Sequence, residues 1–488
     1  MKIVLLSDFG STYTKLTAVD LDAEEVLACS AAYTTVETDV QEGYFKALSI
    51  LQDKLAKDKE GTLERLVAAG KITEADRTLA QNFTTDDVFY HKSCSSAAGG
   101  LRMLVSGLVP ELTAKAAKLA ALGAGAKVLK TYDHELTDDD LEEIAEIKPD
   151  IFLLTGGTDG GTKECILENA EALCDLAPSF PIVVAGNRTA QRKIRKMFEE
   201  AGLHFVICDN VMPQLGTLNI LPVQEQIRAI FLERIVKAKG LSHIKAMVQD
   251  IIMPTPASIL SAVSLLADGT EDEKGLGEIL ALDPGGATTD VYSVATGAPS
   301  GMDVVMRGLP EPYKKRTVEG DIGMRYSIRG IVEAAGLKTV AKKAGLTPEK
   351  TQAMVDDLAA HTDHLPQDAE SQALDDALAY YAVQVGVKRH CGTLEEFYTS
   401  NGKVYCQTGK DLRNIDTIVV TGGALVRAKN TKEIAQGAFY DESDPASLRP
   451  VKAKILIDRK YIMSAMGVLS HDYPEKALRI MKKELVNE

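Results

Sequence analysis

The chain has 488 residues, 45% of them apolar and 26% charged, an ordinary globular composition with room for more than one core. With 55 basic against 70 acidic residues and no Trp, the net charge of −15 is a poor match to the cationic surfaces that grip nucleic acid. No run approaches the ~18 unbroken apolar residues of a membrane helix, and Asp8 comes too early for a secretory signal. The seven cysteines contain no Cys-x-x-Cys pair, which predicts free thiols in a reducing cytoplasm.

Taken in chain order, short apolar runs bounded by Gly, Asp or Thr alternate with stretches of helical period. Ile3–Asp8 and Leu16–Asp20 read as strands, and Tyr44–Leu55 as a helix. A polar, helix-prone excursion covers 61–87, and a helix covers Asp140–Ile147. Strands then fall at Ile151–Leu154 and Ile182–Val184, followed by a helix over Gln224–Ala238. After Met253-Pro254-Thr255-Pro256, where two prolines interrupt the pattern, come strands Ile279–Asp283, Val291–Val294 and Ile418–Val420. A long helical excursion occupies about 331–400. The class is α/β.

The halves repeat one another. Asp8-Phe9-Gly10-Ser11-Thr12-Tyr13-Thr14 is similar to Asp283-Pro284-Gly285-Gly286-Ala287-Thr288-Thr289, and Thr155-Gly156-Gly157 to Thr421-Gly422-Gly423. A softer third match pairs a strand ending at Asp209 with one ending at Asp458. We therefore expect two related α/β domains, 1–255 and 256–488, the second carrying the helical insertion.

The repeated loops carry chemistry. Each sets an acid at a strand end before a turn of small residues whose backbone N–H groups lie open to a ligand. Thr12 and Thr288 add hydroxyl donors suited to phosphate oxygens, and Lys15 adds a positive charge near the first loop. Asp8 and Asp283 would not touch phosphate themselves; they would hold a hydrated Mg²⁺ against it. One Asp-x-Gly-x-x-Thr is explained by hairpin turn chemistry alone. Two copies in related halves favour a cleft in which both loops clamp a phosphate chain and both aspartates converge on one cation. Gly422 and Gly423, at a strand's carboxyl end, would let a base or ribose lie against the backbone.

These loops resemble the phosphate 1 and phosphate 2 motifs of the sugar kinase, heat-shock chaperone and actin superfamily, and Val419–Ala424 resembles its adenosine motif. Longer segments, among them Cys94–Met103, Leu153–Gly161, Asn210–Pro213 and Val318–Arg325, are similar to the MutL/GlmL glutamate mutase accessory proteins. The resemblance implies two duplicated ribonuclease-H-like domains, an actin-like ATPase, with Mg-ATP in the cleft between them. It also implies a chaperone or reactivating factor for an adenosylcobalamin-dependent mutase or aminomutase, a nucleotide-driven clamp that releases damaged cobalamin. In those terms Asp8 and Asp283 position Mg²⁺, and one of them activates water in a weak ATPase. Gly10, Ser11, Thr12, Lys15, Gly285, Gly286, Ala287 and Thr288 surround phosphates, and Gly422 and Gly423 line the adenosine. A small-molecule kinase of the same fold, with Asp159 or Asp290 as its base, and an actin-like filament protein are the alternatives.

Other candidates read more simply. His361 and His364 sit three apart on an expected helix, but the sequence shows no third metal ligand. Cys94 lies among small residues without a His partner and reads as packing, and Ile227, Ile230 and Phe231 read as core. Arg102, Arg307 and Arg325 read as exposed ion pairs, and Glu319 and Asp321 as a solvated turn.

Overall fold

The computed structural model describes residues 1–10, 12–34, 40–96, 101–235, 250–301, 304–400 and 402–487. Strands β1 (Ile3–Phe9), β2 (Tyr13–Asp20), β3 (Glu25–Tyr33) and β4 (Tyr90–Ser95) open the chain. An insert follows with β5 (Arg102–Gly107), β6 (Lys127–Asp133), β7 (Ile151–Leu154), β8 (Ile182–Val184) and β9 (Phe205–Ile207). Then β10 (Asp250–Pro254) returns to pair in parallel with β4, completing a sheet of order β10-β4-β1-β2-β3. Every residue of β1 is buried, as its unbroken apolar run requires of a central strand.

The second half repeats that plan. β11 (Ile279–Pro284), β12 (Thr289–Val294), β14 (Lys314–Glu319), β17 (Thr417–Val420) and β18 (Lys454–Ile457) form a sheet of order β14-β12-β11-β17-β18, with β19 (Val486–Asn487) added at the edge. In both sheets the first three strands are antiparallel and the last two run parallel to the first. This is ribonuclease-H-like topology in duplicate. A smaller sheet joins β13 (Val304–Arg307), β16 (Gly402–Thr408) and β15 (Thr393–Thr399) in that order. The helical excursion comprises Ile328–Ala335, Leu337–Ala344, Pro348–Ala360 and Ala369–His390; the last residues expected to be helical are β15 instead.

The topology corrects two of the expected internal matches. The equivalent of β17 is β4, and the register sets Thr421-Gly422-Gly423 against Cys94-Ser95-Ser96, so Thr155-Gly156-Gly157 is not its counterpart. The equivalent of β18 is β10, so Asp458 corresponds to the start of the helix Thr255–Asp268 and not to Asp209. Thr155-Gly156-Gly157 belongs to the insert, a five-stranded all-parallel sheet of order β6-β5-β7-β8-β9. Helices Lys115–Gly123 and Leu221–Ile235 cover one face through Ala116, Ala120, Val223 and Ile227. Helices Asp138–Ile147, Glu164–Leu176 and Arg188–Glu200 cover the other through Ile144, Ile166 and Ile194. That is a complete doubly wound unit set between two adjacent strands of the first sheet.

The two halves are joined by the crossing of Thr255–Asp268, which follows β10, with Met463–Leu469, which follows β18. A β-carbon on Gly467 would lie 1.9 Å from the Ser258 carbonyl oxygen, so only glycine admits this approach. The Ser258 hydroxyl donates to the Ser464 carbonyl at 2.6 Å across the same crossing.

Candidate functional site

The two Asp loops are hairpins of one design. In β1–β2, Asp8 stands opposite Lys15, and Gly10 N–H donates to the Tyr13 carbonyl at 3.1 Å. In β11–β12, Asp283 stands opposite Asp290, and Gly285 N–H donates to the Thr288 carbonyl at 2.8 Å. The turns meet: the Thr12 hydroxyl is 3.6 Å from where Gly286 would carry a β-carbon. Ser11 lies outside the described residues.

Asp8 is buried at 2% exposure, and both of its oxygens are occupied. Thr255 donates to Oδ1 at 2.6 Å, while Ser464 and Lys15 donate to Oδ2 at 2.9 and 3.1 Å. Thr255 and Ser464 open the two crossing helices, so this carboxylate ties both halves to one point. Burial acts to discharge Lys15, but the Asp8 carboxylate and, more weakly, Tyr461 and Asp283 hold its ammonium charged. The ammonium rests 3.7 Å from the Tyr461 ring centroid.

Asp283 differs. It accepts no hydrogen bond from a described residue. Burial, then repulsion from Asp290, pushes its carboxyl up to about 7, against the pull of Lys15. Beside it, Gly422 has φ +92°, and a β-carbon there would meet Asp283 Oδ1 at 2.8 Å. Gly422 and Gly423 open the short helix Gly423–Arg427 at the end of β17, next to Asp283. Thr421 donates to Asp458 at 3.0 Å, and Asp458 also accepts from the Ile462 and Met463 N–H groups. Burial nonetheless raises the Asp458 carboxyl.

The segment Val318–Arg325 finds its place behind the second turn. Met324 and Arg325 N–H donate to the Gly285 and Gly286 carbonyls at 3.0 and 2.8 Å, and the Ser327 hydroxyl to the Ala287 carbonyl at 2.8 Å. The N–H groups of Gly286 and Ala287 donate to no described residue. The loop is thus pinned by its acceptors while donors remain, the polarity a phosphate needs. Arg325 is buried against Asp375 at 2.8 Å, contrary to an exposed ion pair. Glu319 and Asp321 are both held by Arg389.

A divalent cation fits this site at Asp283, whose lone pairs are open, and not at Asp8 directly, whose oxygens already hold three donors. The cation that both carboxylates feel is the Lys15 ammonium. Both candidate kinase bases are otherwise engaged. Asp290 accepts from buried Arg316 at 2.6 Å, and Arg316 also donates to the Leu122 and Ala126 carbonyls at 3.0 Å. Asp159 accepts from Arg188 N–H and from Asn210 in the insert at 2.9 Å each. The second glycine cradle differs from the Gly285 turn because its donors are engaged: the Asp159 and Gly161 N–H groups donate to the Pro213 and Thr158 carbonyls at 3.0 Å each, and Gly160 N–H to Asn187 Oδ1 at 3.2 Å. Cys94 is buried, and burial pushes its thiol well above the usual range. Sequence reasoning missed Thr255, Ser464, Asp458 and Arg316, because each meets its partner only through the fold.

Two ribonuclease-H-like sheets with matched hairpins whose turns approach each other define an actin-like fold. The MutL protein family model matches residues 4–485, and Protein MutL of Clostridium tetanomorphum is 45% identical over 486 residues, covering 100% of each chain. The chain belongs to the MutL protein family. Among solved structures, it is similar to the ethanolamine utilization protein EutJ from Carboxydothermus hydrogenoformans (10% identity, 98% of this chain and 90% of that one, TM-score 0.27). Others are the Clostridium difficile activator of 2-hydroxyisocaproyl-CoA dehydratase with bound ADPNP (9%, 100% and 99%, 0.29) and the ligand-bound xylulose kinase of Lactobacillus acidophilus (11%, 100% and 93%, 0.30). No helix among the described residues is long and apolar enough to cross a membrane.

Proposed function

We propose that this chain is a cytoplasmic, ATP-binding accessory factor for an adenosylcobalamin-dependent mutase or aminomutase, a clamp whose nucleotide state governs release of damaged cobalamin. The observation that carries this reading is the meeting of the Asp8 and Asp283 hairpins beside the crossing helices. A group bridging both turns would bias the angle between residues 1–255 and 256–488, and so couple a ligand to domain closure.

In this reading the Gly286 and Ala287 N–H groups and the Thr12 and Thr288 hydroxyls hold phosphate oxygens, with Gly10 and Gly285 shaping the turns. Gly422 and Gly423 leave space for the adenosine. Asp283 would hold Mg²⁺, which would supply positive charge against the phosphates. Asp8 keeps Lys15 charged. The ionised Asp283 is the group able to accept a proton from water in slow hydrolysis. Turnover is weak, because Asp8 is fully engaged. A nucleotide effect on the mutase requires different mutase affinities in the ATP and ADP states.

Calorimetry with Mg-ATP, wild type beside Asp283→Ala, tests the site; equal affinities would remove Asp283 from it. Co-purification with mutase subunits in ATP, ADP and nucleotide-free buffers tests the partner, and absence of association in all three would reject it.

A further inference from the structure

The structure supplies the third ligand that the histidine pair lacked in the sequence. The helix Pro348–Ala360 ends one residue before His361, so neither histidine is helical as expected. The chain closes a turn, with His361 N–H donating to the Asp357 carbonyl at 2.9 Å and His364 N–H to the His361 carbonyl at 3.0 Å. Both imidazoles are thereby brought over the last helical turn. His361 Nδ1 lies 3.0 Å from Asp357 Oδ1, and His364 Nδ1 lies 3.5 Å from Asp357 Oδ2. The rings stack with centroids 4.6 Å apart, and one donor atom from each residue falls within 4.8 Å of the others.

We propose that Asp357, His361 and His364 form a surface site for a borderline divalent transition metal, of which Zn²⁺ is the representative. Ligands bonded at ~2.0–2.2 Å to one tetrahedral ion stand ~3.3–3.6 Å apart, and the two Asp357–His pairs here are 3.0 and 3.5 Å apart. Two imidazoles and one carboxylate suit Zn²⁺, Co²⁺ or Ni²⁺, whereas Mg²⁺ takes oxygen ligands. All three residues are exposed, so the remaining positions are open to water. Leu365-Pro366 follows at once, and the proline keeps the chain from resuming a helix that would separate the rings.

The turn has a fixed far end as well. The His364 carbonyl accepts from Arg325 Nε at 3.1 Å, and the Arg325 amide donates to the Gly286 carbonyl at 2.8 Å. A metal on these ligands therefore stiffens a turn that is two hydrogen bonds from the second hairpin.

The test uses the untagged full chain, stripped with a chelator. Titration with Zn²⁺ by calorimetry, and with Co²⁺ by visible absorption, should show one ion per chain. Affinity should fall about tenfold or more in His361→Ala and in His364→Ala, and stay unchanged in Asp363→Ala. Amide exchange across 361–366 should slow when Zn²⁺ is added to wild type and not to the variants. Wild type that binds no Zn²⁺ up to about 0.1 mM, or a double histidine variant that binds it as tightly, would overturn the site.

Discussion

The Thr12 hydroxyl faces Gly286 across the junction of the halves, 3.6 Å from the position of a β-carbon on that glycine. The distance is an ordinary van der Waals contact, so Gly286→Ala fits without moving either hairpin. Its stability in urea should stay within ~0.5 kcal/mol of wild type. The methyl would nonetheless occupy the space assigned to a phosphate, and Mg-ATP affinity in calorimetry should fall about tenfold or more.

Asp283 makes the apo protein sensitive to pH in the direction opposite to most carboxylates. Its folded pKa of about 7 lies above the unfolded value, so between these the folded state binds the extra proton. Its contribution favours folding at low pH and is lost as pH rises through about 7. Asp283→Asn should therefore be the more stable protein at pH 8, by ~2 kcal/mol in urea melts, with the gap closing toward pH 4. Mg-ATP affinity of wild type should decline as pH falls through about 7, because a protonated carboxyl holds no cation.

Arg316 is 4% exposed and joins Asp290 of the second sheet to carbonyls at the end of an insert helix. Arg316→Met leaves Asp290 charged and without that partner, and should cost ~3–5 kcal/mol in denaturant unfolding. Asp290→Asn combined with Arg316→Met should cost less than the single change. A double variant no better than Arg316→Met would show that the ion pair is not the source of the loss.

Gly467→Ala should force apart the helices that join the halves, since its methyl would meet the Ser258 carbonyl. We expect a loss of ~2–3 kcal/mol and a measurable rise in radius of gyration by small-angle scattering. An unchanged profile at equal stability would place the strain elsewhere.

What the sequence disclosed depended on the range of each interaction. The strands at Ile151–Leu154 and Ile182–Val184 match to the residue, and the two Asp hairpins match in register, because strand period and turn chemistry are local. Thr155-Gly156-Gly157 resembles Thr421-Gly422-Gly423 without being its counterpart for the same reason: glycine after an apolar strand is the common solution to any strand-to-helix turn. Which loop it matches depends on strand order, which no local pattern encodes. Lys15 was visible as a nearby charge and meets Asp8 through cross-strand register. Thr255 and Ser464, which saturate Asp8, come from the far ends of both halves and carry no motif.

Because β4 and β10 are neighbours in space yet lie on either side of 96–249, their pairing closes a very long loop. A doubly wound unit shortens that loop only once it has folded. During synthesis the insert emerges before β10 does, so its parallel sheet has time to form first and present the two ends together. Mutations that slow the insert's own folding should then leave β4 with an uncovered edge, and aggregation of nascent chains, more than loss of final stability, would be their signature.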